Sequence, residues 1–411
     1  QRFVRAAAAL DGLKLAIVGQ EPPEKLPREI RERIAAHVRV EDALDADQLE
    51  RAVREAAAKL GGPVERLIGI LEQLQEPLAI VRERLKIPGM DSVEARNFRD
   101  KSRMKDLLRQ ADLPCAKHGL AHSAEEALAF AEDCGYPLVA KPPAGAGARN
   151  TVRVSERSEL ESYVRTIPPR PDAPLLLEEF VVGREHSFDS VSLGGEHVLH
   201  SISHYFPTPL EVMEQPWMQW CVVLPRDVSG PEYDDIREAG RKTLDVLGMH
   251  TGLTHMEWFR REDGSIAISE VAARPPGAQF TTLLSLSHDR DFYSAWAELV
   301  LFDRFTVPER RYAAGAIFLR GQGDGVVKEV HGVRETAEQV QGLLCDVKLP
   351  RKGEPQAASY EGQGYVLLRH EDTDVLMDAM KSVLKTLRVE LETGLPSRPA
   401  HPQASGGGRI R

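Results

Sequence analysis

Two glutamates, Glu257 and Glu270, are spaced so that they could share one cation. The dipeptide Asp263-Gly264 lies between two segments of alternating polar and apolar residues, a pattern typical of a β-hairpin with a two-residue type I′ turn. Such a turn pairs Glu257 with Glu270 directly across the two strands, with Cβ atoms about 4.5–5.5 Å apart. On the same face of the hairpin we expect His255, Phe259, Ile268 and Arg274.

Two carboxylates at this separation repel each other, so the hairpin has two interpretations. Either both side chains splay into water, or a divalent cation lies between them. Proteins hold Mg²⁺ with a few carboxylates together with substrate phosphate oxygens. A phosphate-binding feature elsewhere in the chain would therefore favour the metal site.

Lys141 ends the apolar segment YPLVAK and is followed at once by PPAGAGARNT, which contains Gly145 and Gly147. Small residues let backbone N–H groups approach phosphate oxygens, and a lysine adds a point charge. The alternative is a hairpin loop that needs glycine for its turn. The pattern GxxxxGK[ST] is absent, so this is not a P-loop. Lys101 opens a predicted helix, where a lysine is also common as a solvated residue.

In this order, the segments DKSRMKDLLRQADLP, LVAKPPAGAGARNTVRV, LLLEEFV, THMEWF and ISEVAARPPG resemble the ATP-grasp superfamily, which includes biotin carboxylase, carbamoyl-phosphate synthetase and amino-acid ligases. The resemblance extends over roughly residues 1 to 390, and its specific motifs lie between about residues 97 and 278. It implies an ATP-grasp fold of the α/β and α+β class. An N-terminal parallel α/β domain would precede a two-lobed ATP-grasp domain and a small C-terminal lobe.

The resemblance also implies a role for each motif residue. Lys101, Lys141, Gly145 and Gly147 would contact the phosphates of ATP, with Lys141 also counted as catalytic. The segment Glu178, Glu179, Phe180 and Val181 would bind adenine, and Glu185 would lie near the ribose or the substrate. Glu257 and Glu270 would hold Mg²⁺, with Mn²⁺ as an alternative, and Arg274 would be a catalytic anion-binding arginine. Many members place an asparagine two residues after the second glutamate, where this chain has Ala272.

The implied activity is an ATP-dependent, ADP-forming ligase that converts a carboxylate into an acyl phosphate and joins it to an amine. The substrates would be small molecules, and the pathway stays open. Two alternatives remain at this point. One is a bicarbonate-activating carboxylase or carbamoyl-phosphate-type enzyme. The other is a nucleotide-binding protein with a degenerate site, which the alanine at position 272 keeps open.

The chain has four predicted parts around these motifs. Alternating strand and helix patterns, including a strand at VERLIGI, predict an open parallel α/β domain over residues 1–92, whose first strand we expect to precede Gln1. The ATP-grasp domain follows at 93–312 with a flexible lid lobe at 137–184, then a C-terminal α+β lobe at 313–392 and a flexible tail at 393–411.

Composition limits the partners. The 411 residues carry a net charge of −10, which provides no basic footprint for nucleic acid or for an anionic membrane. No uncharged apolar run approaches the length of a membrane span. The four cysteines are far apart and lack a CxxC pair, which favours a reducing cytoplasm. A homodimer is an open alternative to a monomer.

The segment EHVLHSISH places His197, His200 and His204 at a spacing that would suit a metal on a helix. Its composition predicts a strand after the Gly194-Gly195 turn instead. In a regular strand, His197 and His200 point to opposite faces, which argues against a zinc site.

Overall fold

The computed structural model describes residues 1–143, 151–215 and 217–393. The N-terminal part contains two parallel strands and four helices. In chain order these are α1 (Arg2–Ala8), β1 (Ala16–Gly19), α2 (Arg28–Arg31), β2 (Ala36–Arg39), α3 (Ala46–Leu60) and α4 (Gln75–Leu85), with short 3₁₀ turns at Pro23–Lys25 and Glu72–Leu74.

Residues typical of helix ends stand at both ends of helix α3. The side chain of Asp45 accepts hydrogen bonds from the backbone N–H groups of Asp47 and Gln48, and Gly61 ends the helix with a left-handed φ of +76°. Its apolar face packs on the β1–β2 pair through Ala52 and Ala56 and on α4 through Leu49 and Val53.

The strand predicted at VERLIGI, residues 64–70, is wrong, because the structure has no regular strand there. Side chains satisfy the backbone carbonyls that a sheet would have used. Arg82 donates to the carbonyl of Leu67 at 2.9 Å, and the Gln75 amide donates to Gly69 at 3.0 Å. The described sheet of this part therefore has two strands rather than an open multi-stranded array.

The next part forms a small lobe around a four-stranded antiparallel sheet, in the order β3–β6–β4–β5. Its sheet begins before residue 137, where we expected the lid to start. The elements are α5 (Ser92–Arg99), α6 (Lys101–Gln110), β3 (His118–Ala121), α7 (Ala124–Cys134), β4 (Leu138–Lys141), β5 (Val152–Val154), α8 (Arg157–Thr166) and β6 (Leu175–Glu179).

An eight-stranded antiparallel sheet forms the body of the molecule, in the order β11–β10–β7–β8–β9–β12–β16–β15. Its first five strands come from the segment that contains the paired glutamates. The elements of this segment are β7 (Gly183–Leu193), β8 (Glu196–Phe206), α9 (Pro209–Glu214), β9 (Trp220–Leu224), α10 (Asp234–Leu247), β10 (Gly252–Arg261), β11 (Ile266–Ala272), α11 (Phe280–His288) and α12 (Phe292–Phe302).

Residues after 312 extend this same sheet, so the predicted C-terminal lobe shares its main sheet with the preceding segment. Strand β12 pairs with β9, and helix α14 packs over β12 and β16. The elements are β12 (Ala313–Leu319), β13 (Gly321–Gln322), β14 (Val326–His331), α13 (Val333–Gln339), β15 (Leu344–Lys348), β16 (Gly364–His370), α14 (Thr373–Thr386) and β17 (Arg388–Glu392). The short strands β13, β17 and β14 form a separate sheet.

The hydrophobic core lies on both faces of the eight-stranded sheet. On one face, α6 and α10 cover the side chains of Met256 and Trp258. On the other face, α11 and α12 pack against Leu253 and Trp220. Within the described ranges, no helix combines the length and the apolar character needed to cross a bilayer.

The prediction that His197 and His200 point to opposite faces is wrong. A β-bulge in β8 leaves Val198 without a partner in β7, so the alternation slips by one residue. The two imidazole rings consequently stack 5.8 Å apart on one face. Burial lowers the pKa of each to about 4.

Candidate active site

A cleft of about 870 Å³ lies between the small lobe and the face of the eight-stranded sheet that carries Glu257 and Glu270. Every described residue of the predicted site lines it. The small lobe and the segment that follows β6 contribute Lys101, Lys141, Glu178, Glu179, Phe180 and Val181. The large sheet contributes Glu185, Glu257 and Glu270, and Arg274 follows its strand β11. Gly145 and Gly147, the predicted phosphate-loop glycines, lie outside the described residues.

The pairing of Glu257 with Glu270 across β10 and β11 is confirmed. Two rows of mostly polar residues, each made of partners on neighbouring strands, cross this part of the sheet at right angles to its strands. The first row is Ser203, Ser187, Glu257 and Glu270, and the second is Ser201, Asp189, His255 and Ala272.

The turn that we expected for this hairpin is wrong, although the pair itself is present. The loop has three residues, because the backbone N–H of Arg261 donates to the carbonyl of Ser265 at 2.8 Å. A type I′ turn needs positive φ at both Asp263 and Gly264, and only Gly264 has it, at +86°. This longer loop shifts the register by one residue.

A β-bulge at Ser269 shifts the register back. Trp258 pairs with Ile268 and Glu257 pairs with Glu270, so Ser269 is left without a partner. The bulge moves Ile268 to the face opposite the glutamates, where it is fully buried in the core. The expected position of Ile268 on the site face is therefore wrong.

A cation does lie against this carboxylate pair, and it comes from the chain itself. The ammonium group of Lys101 is 2.5 Å from Oε1 of Glu270. Although burial opposes it, the positive charges of Lys101 and Lys141 lower the pKa of Glu270. Lys101 is held at the start of α6, whose N-terminus is capped by the Asp100 side chain.

Lys141 and Glu178 form the second charged centre of the cleft. The Lys141 ammonium is 2.8 Å from Oε2 of Glu178, and the fully buried Lys105 ammonium is 3.0 Å from Oε1. Burial by itself would raise the pKa of Glu178, but the two lysines lower it to about 2. Burial lowers the pKa of Lys105, whereas Glu178 and Glu270 outweigh burial and raise that of Lys141.

Sequence reasoning missed Lys105. A signal was present, because Lys101, Met104, Lys105 and Leu108 recur at helical spacing and share one buried face of α6. A lysine on an apolar stripe predicts a buried partner of opposite charge.

Residues 178–181, the predicted adenine-binding segment, line the side of the cleft where the small lobe joins the large sheet. Arg153 lies over the Phe180 ring at 4.4 Å, and Arg261 is 3.1 Å from Oε1 of Glu179. Glu185 is buried in β7, and its pKa is raised well above the usual range by burial and by the charge of Glu257. Val181 lines the same wall.

Arg274 is anchored by the N-terminal part of the chain. Its Nε donates to Oε2 of the buried Glu72 at 2.6 Å, and its Nη1 donates to the carbonyl of Pro275 at 3.0 Å. A guanidinium has five N–H donors, so these two bonds fix its orientation and leave donors for a substrate anion. Glu72 was not among the predicted residues.

His255 has a more defined environment than its sequence context indicated. Its Nδ1 lies 2.5 Å from Oδ1 of the buried Asp189, and its Nε2 lies 3.6 Å from Oε1 of Glu257. Burial opposes the charged form, but Asp189 and Glu257 raise the pKa of His255 to about 10. Tyr360, from the connection between β15 and β16, also lines the cleft and was missed.

The donor chemistry of this site fits a divalent cation. Glu257 and Glu270 face each other, and the lowered pKa of Glu270 keeps that carboxylate ionised. Mg²⁺ needs only one or two protein carboxylates when phosphates supply the other oxygens. Elsewhere in the described chain, Glu329, His331 and Glu390 bring three possible ligand atoms within 4.8 Å of one another. There, Lys328 already lies 2.6 Å from Glu390.

Comparison with known proteins gives a consistent result. Residues 106–288 match the family described as the ATP-grasp domain. The chain is 22% identical over 323 residues to the L-arginine-specific L-amino acid ligase of Bacillus subtilis, a match that covers 76% of this chain and 77% of that protein.

Two further matches extend the comparison. Over 204 residues the chain is 30% identical to the carbamoyl phosphate synthase large chain of Neisseria meningitidis, which covers 48% of this chain but only 18% of that protein. The crystal structure of L-amino acid ligase from Bacillus licheniformis has the same fold, with a TM-score of 0.75, 21% identity and 94% coverage of both chains.

Proposed function

Since this chain contains an ATP-grasp domain, we propose that it is an ATP-dependent, ADP-forming ligase that activates a carboxylate as an acyl phosphate and joins it to an amine. The observation that carries the proposal is one cleft in which two facing carboxylates, two lysines and an anchored arginine converge. Bringing so many charged side chains together out of bulk water is costly without a charged ligand to bind.

The lysines neutralise charge on the transferred phosphoryl group. Lys101 and Lys141 are held by Glu270 and Glu178, so each would exchange a carboxylate partner for phosphate oxygens when ATP binds. Lys105 stays on Glu178 and keeps this buried carboxylate compensated after the exchange. Phosphoryl transfer depends mostly on such positioning and charge neutralisation.

Glu257 and Glu270 would hold Mg²⁺, which would supply positive charge to neutralise phosphate oxygens. Arg274, fixed by Glu72, would bind the substrate carboxylate and then the acyl phosphate that it becomes. The amine then attacks the acyl carbon and phosphate leaves. Closure of the small lobe over the cleft would keep water from this reactive intermediate.

A bicarbonate-activating or carbamoyl-phosphate-type reaction is the second candidate. It is favoured by the 30% identity over 204 residues to a carbamoyl phosphate synthase large chain. The match that extends over three quarters of both chains is instead to an amino acid ligase, which supports the first proposal.

A panel assay separates these candidates. The protein is incubated with Mg²⁺–ATP and pairs of amino acids and small acids, ADP is measured, and products are identified by mass. We expect ADP only when a carboxylate and an amine are both present, at about one ADP per amide. ADP formation that depends on bicarbonate and yields no amide would favour the second candidate. No turnover with any pair would favour a nucleotide-binding protein without ligase activity.

A further inference from the structure

His255 lies in the second polar row, immediately beside the carboxylate pair. It faces Ala272 across the hairpin, two residues before Glu257 on the same face of β10. Because Ala272 carries only a methyl group, β11 offers no polar group to the cleft at this level. The imidazole of His255 is the polar side chain that the hairpin presents there.

Two contacts fix the imidazole in one orientation. Nδ1 is 2.5 Å from Oδ1 of Asp189, a side chain that is itself held by a 2.7 Å hydrogen bond from Ser187. The ring of Phe280 packs against the imidazole with centroids 5.2 Å apart. With Nδ1–H donated to Asp189, Nε2 points toward Glu257, whose Oε1 is 3.6 Å away.

This arrangement is the one in which proteins use histidine as a metal ligand. Metal-bound histidines commonly donate the other ring N–H to a carboxylate, which fixes the tautomer and makes the free nitrogen more basic. Two ligands bound at right angles at about 2.1 Å lie about 3 Å apart, close to the separation of Nε2 and the Glu257 oxygen. Ligation requires the metal to replace the proton on Nε2.

We propose that His255 is a third protein ligand of the divalent cation, completing a site with Glu257 and Glu270. The inference rests on the proposed function, which assigns the cation to this glutamate pair. Glu270 would turn from Lys101 toward Glu257 when the metal enters, as Lys101 moves to phosphate. Asp189 is then a positioning residue, because it acts on the metal through the His255 ring.

An imidazole ligand changes which metals the site prefers. Oxygen-only sites suit Mg²⁺, whereas imidazole suits transition metals better. We therefore expect Mn²⁺ to bind more tightly than Mg²⁺. The competing explanation is that Nε2–H donates a hydrogen bond to a phosphate oxygen, without touching the metal.

Pulsed electron paramagnetic resonance of bound Mn²⁺ distinguishes the two explanations without an activity measurement. The full chain is loaded with Mn²⁺ and ADP, once with natural nitrogen and once with ¹⁵N-labelled histidine. We expect an imidazole nitrogen coupling that changes with the label. A bound Mn²⁺ signal without histidine coupling would overturn the ligand role and leave the proposed function intact. If Mn²⁺ does not bind even with ADP, the proposed metal site of the enzyme itself fails.

Substitutions test the position of the ligand. His255→Ala and Asp189→Asn should each weaken Mn²⁺ binding, by about tenfold or more. An asparagine at position 272 would face the same point from β11, so His255→Ala combined with Ala272→Asn should recover affinity without the nitrogen coupling. Unchanged Mn²⁺ affinity in His255→Ala, with the native circular dichroism spectrum, would contradict the proposal. A double variant no better than His255→Ala would contradict the assigned position.

Discussion

Lys101 supplies the positive charge that the facing glutamates need in the absence of a metal. The Lys101 ammonium lies 2.5 Å from the Glu270 carboxylate, whereas the His255 imidazole lies 3.6 Å from the Glu257 carboxylate. The two members of the pair therefore differ in their contribution to stability. Without this lysine, the sequence indicates mutual repulsion and a Glu270→Gln variant at least as stable as the wild type. The observed ion pair reverses that expectation.

We predict that Glu270→Gln destabilises the metal-free protein, because it removes the carboxylate charge that lies 2.5 Å from the buried Lys101 ammonium. The cost should be roughly 1–3 kcal/mol. The matched variant Glu257→Gln should stay within about 1 kcal/mol of the wild type, because it removes a like-charge contact. Denaturant unfolding without metal measures both values. Equal stability of the two variants would show that the Lys101 contact contributes nothing.

Both glutamine variants should lose stabilisation by Mg²⁺–ATP. A ligand at a hundredfold excess over its dissociation constant adds about 2.7 kcal/mol to the wild type. Thermal melts with and without Mg²⁺–ATP compare this increment among the three proteins. A variant that keeps the full increment would argue against the glutamate pair as the metal site.

Lys141 serves the fold as well as the site, because it compensates the buried Glu178 carboxylate. Lys141→Met should therefore abolish tight ATP binding and also lower stability by roughly 1–3 kcal/mol. Adding Glu178→Gln should recover part of the stability but none of the ATP affinity. Calorimetric ATP titration together with denaturant unfolding measures both effects. Unchanged ATP affinity in Lys141→Met would remove its phosphate role.

At the scale of elements, the sequence predicts the helices and strands that are marked by residues close to one another in the chain, such as caps and turns. The capped helix α3 and the hairpin that carries Glu257 and Glu270 are examples. The wrong predictions from the sequence arise where contacts between different elements, or irregularities in strand pairing, decide the structure. A strand at 64–70 is replaced because side chains of α4 bind its carbonyls, and the bulges in β8 and β11 leave no mark in an alternating pattern. The contacts of Lys101 and Arg274 join distant segments, so no local pattern could reveal them.

The buried triad joins three elements, since Lys105 lies on α6, Lys141 ends β4 and Glu178 belongs to β6. The folded pKa of Glu178 is about 2, below its unfolded value of about 4.3. Its contribution is therefore complete above about pH 5 and is lost as the pH falls toward 2.

We accordingly predict that wild-type stability falls more steeply between about pH 5 and pH 2 than that of Glu178→Gln. The steeper slope arises because unfolding of the wild type takes up one more proton in this range. Urea unfolding at a series of pH values measures it. As a control, the same pH series is measured for Glu159→Gln, which removes an exposed carboxylate of α8 outside the triad. Parallel slopes for the wild type and Glu178→Gln would contradict the buried ion triad.

At the scale of the molecule, the sheet that carries the site continues into the last hundred residues. Strand β12 pairs with β9 from Ala314 to Phe318, and Cys221 and Val223 pack into the core beneath α14. Removal of residues 313–411 would expose the edge of β9 and this apolar surface. Exposed strand edges and apolar patches of this kind favour aggregation.

We predict that residues 1–312 alone do not form a stable fold. Residues 394–411 lie outside the described residues, and because their sequence predicts a flexible tail, their removal serves as the control. Both truncated chains are compared with the full chain by thermal melting and light scattering, which also tests whether the full chain is a homodimer. A soluble 1–312 fragment with a cooperative melt would show that this part folds without the C-terminal segment and would contradict the prediction.

In the proposed reaction, an oxygen atom of the substrate carboxylate becomes the bridging oxygen of the acyl phosphate. Once the substrate pair is identified, its carboxylate is labelled with ¹⁸O and the inorganic phosphate released during amide formation is examined by mass spectrometry. We predict that one ¹⁸O is transferred to each phosphate, because the acyl C–O bond breaks when the amine displaces phosphate. Amide formation with unlabelled phosphate would contradict the acyl-phosphate mechanism.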